Sequence, residues 1–171
     1  MKLSIKDLVI LSLLAALMVA AQVALAGLPN VELVSLLVIL YTLFFRKKAL
    51  YSIYVFVLLE GFIYGFGIWW ICYLYVWTIL WGITMLLSKE RNPIVWALIS
   101  GLYGFTFGTL CSVPYFFISG IRGGIAWIIS GLFWDLVHGV GNLVVALVLF
   151  RPLYYSLTRI CRGSSAAGTN A

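Results

Sequence analysis

Apolar positions run along the chain in six long blocks, Leu8–Ala26, Val31–Phe45, Ala49–Phe66, Trp69–Leu87, Pro93–Ser119 and Gly124–Phe150, each closed by charged or turn-forming residues. A helix needs roughly 17–25 apolar residues to cross the hydrocarbon of a bilayer. All the blocks reach that length except the second, which needs flanking residues, tilt or local thinning to span. The breaks read as turns: Gly27-Leu28-Pro29-Asn30 and Gly120-Ile121-Arg122-Gly123-Gly124 are rich in helix breakers, and Arg46-Lys47-Lys48 and Ser88-Lys89-Glu90-Arg91-Asn92-Pro93 are charged. The expectation is an all-α membrane protein, a bundle of six transmembrane helices with short connections, filling residues 1–160 as one domain. Residues 161–171 end in Gly, Ser, Ala, Thr and Asn and are expected to form a polar, disordered tail.

Composition agrees with a lipid environment, since 64% hydrophobic and 9% charged residues leave too little polar surface to cover a soluble globule. Charge then orients the bundle, because Lys and Arg near span ends stay on the cytoplasmic side. If helix 1 leaves the cytoplasm, Lys2, Lys6, Arg46, Lys47, Lys48, Lys89, Arg91, Arg151, Arg159 and Arg162 lie inside and Arg122 alone lies outside. Both termini are therefore expected inside. The net charge of +6 is accounted for by topology, so the bilayer is the expected partner and nucleic acid is not. Ala24-Leu25-Ala26 before Gly27 resembles a signal cleavage site, but the preceding apolar run is longer than most signal cores, which favours an uncleaved first helix. Cys72, Cys111 and Cys161 are scattered without ligand-like spacing, so neither disulfide, metal nor other cofactor is expected.

Ala16, Ala20 and Ala24 recur every four residues on helix 1 and make a flat face that another helix can approach closely, either within the bundle or on a partner. Gly101, Gly104 and Gly108 form a second stripe on helix 5, expected to pack internally. Ionisable side chains within spans cost about 2.5–3.5 kcal/mol on insertion scales and so draw attention as sites. Glu60 on helix 3 and Asp135 on helix 6 are the two. Glu32, at the start of helix 2, reads instead as a charge favoured by the helix dipole. Trp127, Gly131, Asp135, His138 and Asn142 share one stripe of helix 6 and are expected to face the interior, with Asp135 as a partner for His138.

An Asp135–His138 catalytic pair lacks a nucleophile in any recognisable motif, although Cys111 and Ser112 on helix 5 are candidate neighbours, so the enzyme reading is the alternative rather than the expectation. Aromatics gather around the helix 3–4 and 5–6 connections. An interfacial belt accounts for Trp69 and Phe116, but Trp70, Tyr73 and Trp77 fall on one face that runs too deep for headgroup contact. Flat rings around two acids suit a planar, donor-rich or cationic small molecule.

These features together resemble a substrate-binding S component of an energy-coupling factor (ECF) transporter. The resemblance is carried by the six-helix chain, the Ala16-x-x-x-Ala20 face, Leu28-Pro29-Asn30-Val31-Glu32-Leu33, Leu59-Glu60-Gly61, Tyr64-Gly65-Phe66-Gly67-x-Trp69-Trp70 and Trp134-Asp135-x-x-His138-x-x-x-Asn142, between about Lys6 and Tyr155. It implies a multi-pass protein of the bacterial cell membrane with no catalysis of its own, which captures a vitamin or related micronutrient outside. Delivery would follow by toppling on a transmembrane scaffold subunit driven by two ATPase subunits. It also implies scaffold docking through Ala16, Ala20 and Ala24, and a lid formed by Pro29, Asn30 and Glu32. Substrate-binding residues would be Glu60, Trp70, Tyr73, Trp77, Trp127, Asp135, His138 and Asn142. The full binding sets of the thiamin, riboflavin, biotin and folate proteins are missing, which leaves the substrate open. No Gly-rich Lys-Ser/Thr phosphate loop occurs, in keeping with ATP hydrolysis by partners.

Overall fold

A computed structural model describes residues 3–166; residues 167–171 of the polar tail lie outside the described residues. The described chain is helical: α1 (Ile5–Leu25), α2 (Val34–Phe45), a 3-10 turn (Arg46–Lys48), α3 (Ala49–Tyr64), α4 (Ile68–Leu86), α5 (Pro93–Cys111) and α6 (Val113–Ala166). Four of these, α1, α4, α5 and α6, are long and apolar enough to cross a bilayer, which makes this a multi-pass membrane protein. The other two are shorter, 12 residues in α2 and 16 in α3.

The shortness of α2 acquires a reason from its position. Every residue from Val34 to Leu43 is buried, and α1, α3, α4, α5 and α6 all touch the helix. A helix that is apolar all round belongs inside a bundle, and this one forms its axis. Its polar groups are bonded within the protein: Thr42 Oγ1 donates to the Val38 carbonyl at 2.6 Å, and Tyr41 Oη donates to the Leu14 carbonyl of α1 at 3.3 Å.

The basic turn after α2 lies at the end of the bundle where α1 begins and α4 ends. Ser4 and Asp7 form a capping box at the start of α1, and Asp7 also accepts from Lys48 Nζ at 2.7 Å, which ties α1 to the turn after α2. The Trp81 indole, late in α4, donates to the Arg46 carbonyl at 3.2 Å. In the α4–α5 connection, backbone N–H groups of Asn92 and Arg91 bond the Glu90 carboxylate and hold it below the usual carboxylate range.

The last two helices depart from the expected boundaries. A single helix over Pro93–Ser119 does not form: α5 stops at Cys111 and α6 starts at Val113. Pro114 is the cause, because it has no N–H for the Leu110 carbonyl and its ring crowds that oxygen. The released carbonyls find partners on α4. Tyr75 Oη donates to the Leu110 carbonyl at 2.7 Å, and the Cys72 thiol donates to the Cys111 carbonyl at 3.3 Å. Likewise Gly120–Gly124 is no open loop. Gly120, at φ 68° and ψ −173°, makes one sharp bend inside α6, a conformation that only glycine enters without strain. Beyond it α6 continues past Phe150, through Pro152, to Ala166, so residues 161–166, which the sequence assigns to the tail, continue the helix.

α5 and α6 pack more extensively than any other pair. The glycine stripe accounts for this: a Cβ on Gly104 would stand 2.8 Å from Gly139 Cα, and one on Gly101 would stand 3.1 Å from Leu143 Cβ. The two backbones touch, as internal packing of Gly101, Gly104 and Gly108 requires. Gly104→Ala should therefore destabilise the protein by about 1–3 kcal/mol, the usual range for overpacking. Gly82→Ala, where the added methyl meets open space within its helix, should be neutral or stabilising. Detergent unfolding midpoints read both; equal effects would remove the α5–α6 contact as the cause.

Candidate functional site

Away from that basic turn, the helix 1–2 connection, the start of α4, the end of α5 and the first half of α6 line a cavity of about 540 Å³. That volume lies in the range of small-molecule sites, roughly 300–1,000 Å³. α4 contributes Trp69, Cys72 and Tyr73, α5 contributes Phe107, Gly108 and Cys111, and α6 contributes Tyr115, Trp127, Trp134 and Asp135. Pro29 and Asn30 of the helix 1–2 connection also line it. Asn30 takes φ 58°, a left-handed conformation that asparagine tolerates and that turns the chain there.

The wall is aromatic. Tyr115 and Trp127 stack across the Gly120 bend with ring centroids 3.8 Å apart and planes 15° apart. Trp69, Tyr73 and Trp77 follow one another along α4 in edge-to-face contacts at 5.2 and 5.4 Å, and Trp77 meets Phe107 at 5.5 Å. Asp135 is the one acidic residue of this wall. It is 7% exposed; Oδ1 accepts the Gly108 N–H at 2.8 Å, while Oδ2 is buried without a partner. Glycine is needed at 108, since a Cβ there would lie 2.5 Å from Asp135 Oδ1. The Cys72 and Cys111 thiols are free, and no cluster of metal-ligating side chains occurs among the described residues.

The lower part of the helix 6 stripe, Asp135, His138 and Asn142, is buried as its spacing predicts, whereas Trp127 is 39% exposed at the cavity, and the partners differ from those expected. His138 does not bond Asp135. Its Nε2 lies 3.3 Å from Glu32 Oε1, and the other Glu32 oxygen accepts the Ser35 N–H at 2.8 Å. Glu32 thus caps α2, as the dipole argument suggests, and also holds His138, which no local spacing reveals because 106 residues separate them. Asn142 lies one turn further in, where Nδ2 donates to Ser35 Oγ at 3.1 Å.

Of the residues assigned to substrate from sequence, Tyr73, Trp127 and Asp135 line the main cavity, and Trp77 and His138 line a smaller one beside it. Asn142, Glu60 and Trp70 line neither. Glu60 is 2% exposed on α3 with Oε1 unpartnered. Trp70 turns away toward α3, donating to the Val57 carbonyl at 2.8 Å and packing on Phe66. Trp69 takes its place, so the face of α4 that matters runs Trp69, Tyr73, Trp77 rather than Trp70, Tyr73, Trp77. Spacing of i, i+4 and i+8 was available as a signal for it. Phe107 and Tyr115 had no such signal, because tertiary packing brings them in. In the connection, Pro29 and Asn30 adjoin both cavities and Glu32 the smaller. Ala16, Ala20 and Ala24 are exposed, while Leu11, Ala15 and Met18 make the buried face of α1.

Comparison of the chain with protein-family models, with curated proteins and with solved structures finds no match in any of the three.

The Glu32–His138 contact joins the helix 1–2 connection to α6, and a double-mutant cycle measures it. Glu32→Gln and His138→Gln should each destabilise, with the double variant recovering a coupling of about 1–3 kcal/mol. Additive losses would show that the contact contributes nothing to holding the connection.

Proposed function

We propose that the protein is the substrate-binding subunit of an ECF-type importer, taking up a vitamin or related micronutrient. The observation that carries this is the open, aromatic-walled cavity with one buried, half-bonded carboxylate, set at the end of a membrane bundle away from the Arg46–Lys48 turn. In this reading all six helices cross or line the bilayer, both termini are cytoplasmic, and the cavity opens outward in the bacterial cell membrane. The 12 residues of α2 span by being sheathed in the other helices, so they need not match the hydrocarbon thickness. Rings supply contact area and Asp135 supplies orientation, an arrangement suited to a planar, donor-rich or cationic molecule.

The chain carries no catalysis in this proposal. Energy comes from a scaffold subunit and two ATPases, and the exposed Ala16, Ala20 and Ala24 face of α1 supplies the docking surface. An intramembrane enzyme built on Asp135 and His138 has weaker support, because His138 engages Glu32 and Asp135 engages Gly108 instead of each other. A purely structural subunit would leave the cavity without a use.

Native mass spectrometry of the purified protein tests the assignment through a retained small molecule. Asp135→Asn should weaken binding of that compound roughly ten- to a hundredfold, the value of one charge-assisted hydrogen bond. Unchanged affinity removes Asp135 from the site. Replacing Ala16 and Ala20 together by Trp should leave affinity unaltered while abolishing co-purification with a scaffold and uptake in cells. If affinity and uptake fall together, or if uptake persists at the wild-type rate, α1 is not the coupling surface.

A further inference from the structure

Beside the main cavity lies a second of about 180 Å³, and the two share Pro29, Asn30, Tyr73 and Phe107 as common walls. Their chemistry differs. The larger holds Asp135, whose Oδ2 is a buried acceptor with no donor. The smaller is lined by Glu32, Trp77 and His138 among others. Trp77 is 2% exposed, and its indole N–H, which can only donate, has no acceptor. His138 is 4% exposed with Nε2 engaged by Glu32 and Nδ1 unpartnered. Buried polar atoms are nearly always hydrogen-bonded, so these orphans mark where something else must bond. One cavity lacks a donor, and its neighbour lacks an acceptor for Trp77.

We infer that the site is two-ended: it takes a flat, ring-containing ligand that presents an N–H donor or cation to Asp135 and a neutral carbonyl oxygen to Trp77. This inference rests on the main cavity being a ligand site. The acceptor end is neutral because Glu32 already supplies a carboxylate to that wall, and a second anion beside it would be repelled. One molecule can extend from one end to the other, since the two cavities adjoin along Pro29, Asn30, Tyr73 and Phe107. The ring lies against Tyr73 and Phe107, the two aromatic side chains that both cavities share.

Three probes test it by tryptophan fluorescence quenching in nanodiscs: benzamidine, which offers the donor end alone, benzamide, which offers the carbonyl alone, and para-amidinobenzamide, which offers both. In the wild-type protein para-amidinobenzamide should bind at least about tenfold more tightly than either single-ended probe, the lower value of one hydrogen bond to a charged group. Asp135→Asn should bring it down to the level of benzamide. Trp77→Phe should bring it down to the level at which benzamidine binds that same variant. If para-amidinobenzamide binds no better than benzamidine, the inference is overturned, while benzamidine binding that Asp135→Asn abolishes keeps the main cavity as a ligand site. If no probe binds the wild-type protein at millimolar concentration, both the two-ended site and the ligand reading of the cavity fall. The wild-type comparison stands even if Trp77→Phe does not fold.

Discussion

The backbone-to-backbone crossing of α5 and α6 sets the position of nearly everything at the cavity end. Gly104 lies against Gly139, and a single methyl there would force the helices apart. Because they are this close, Asp135 can reach across Gly108 and take its N–H. The same short separation delivers Phe107 to the His138 ring, with centroids 4.8 Å apart. Close approach without side-chain volume gains dispersion contact where lipid gives no hydrophobic drive for helices to associate. It also makes the geometry of the carboxylate a consequence of glycine positions on the facing helix.

A second constraint comes from two backbone interruptions. Pro114 ends α5 at the cavity, where Cys111 before it and Tyr115 after it both line the wall, and Gly120 then turns the short segment between them against the rest of α6. That segment carries Tyr115 onto Trp127 and so closes one side of the cavity with stacked rings. An interruption of helical bonding in a membrane has to be made good within the protein. Tyr75 and Cys72 do so from α4, which links the cap to the same helix that supplies Trp69 and Tyr73 to the wall.

At the axis, α2 connects these parts to the helix 1–2 connection. At its N-terminus the Ser35 N–H donates to Glu32, and Glu32 in turn meets His138. Ser35, one residue inside α2, receives Asn142. The polar residues of the α6 stripe therefore divide their work by depth: Asp135 borders the cavity, His138 holds the connection, and Asn142 fixes α6 to the axial helix.

Much of this was legible from apolar periodicity alone, because a bilayer demands long apolar helices whatever their packing, and because small residues at regular spacing have one main use between helices. The helical class, the internal glycine stripe on α5 and the burial of Asp135, His138 and Asn142 on α6 all follow from spacing and type. What the sequence could not determine was which partner each inward residue meets. Glu32 and His138 are far apart in the chain, Trp69 and Trp70 differ only in which side of α4 the bundle happens to cover, and Glu60 is buried on α3 outside both cavities. Helix ends near Pro114 and Gly120 were likewise misplaced, since either residue can end a helix or merely bend it. Tertiary structure decided these points because the choice depends on whether a neighbouring helix supplies bonds for the released carbonyls, and α4 does.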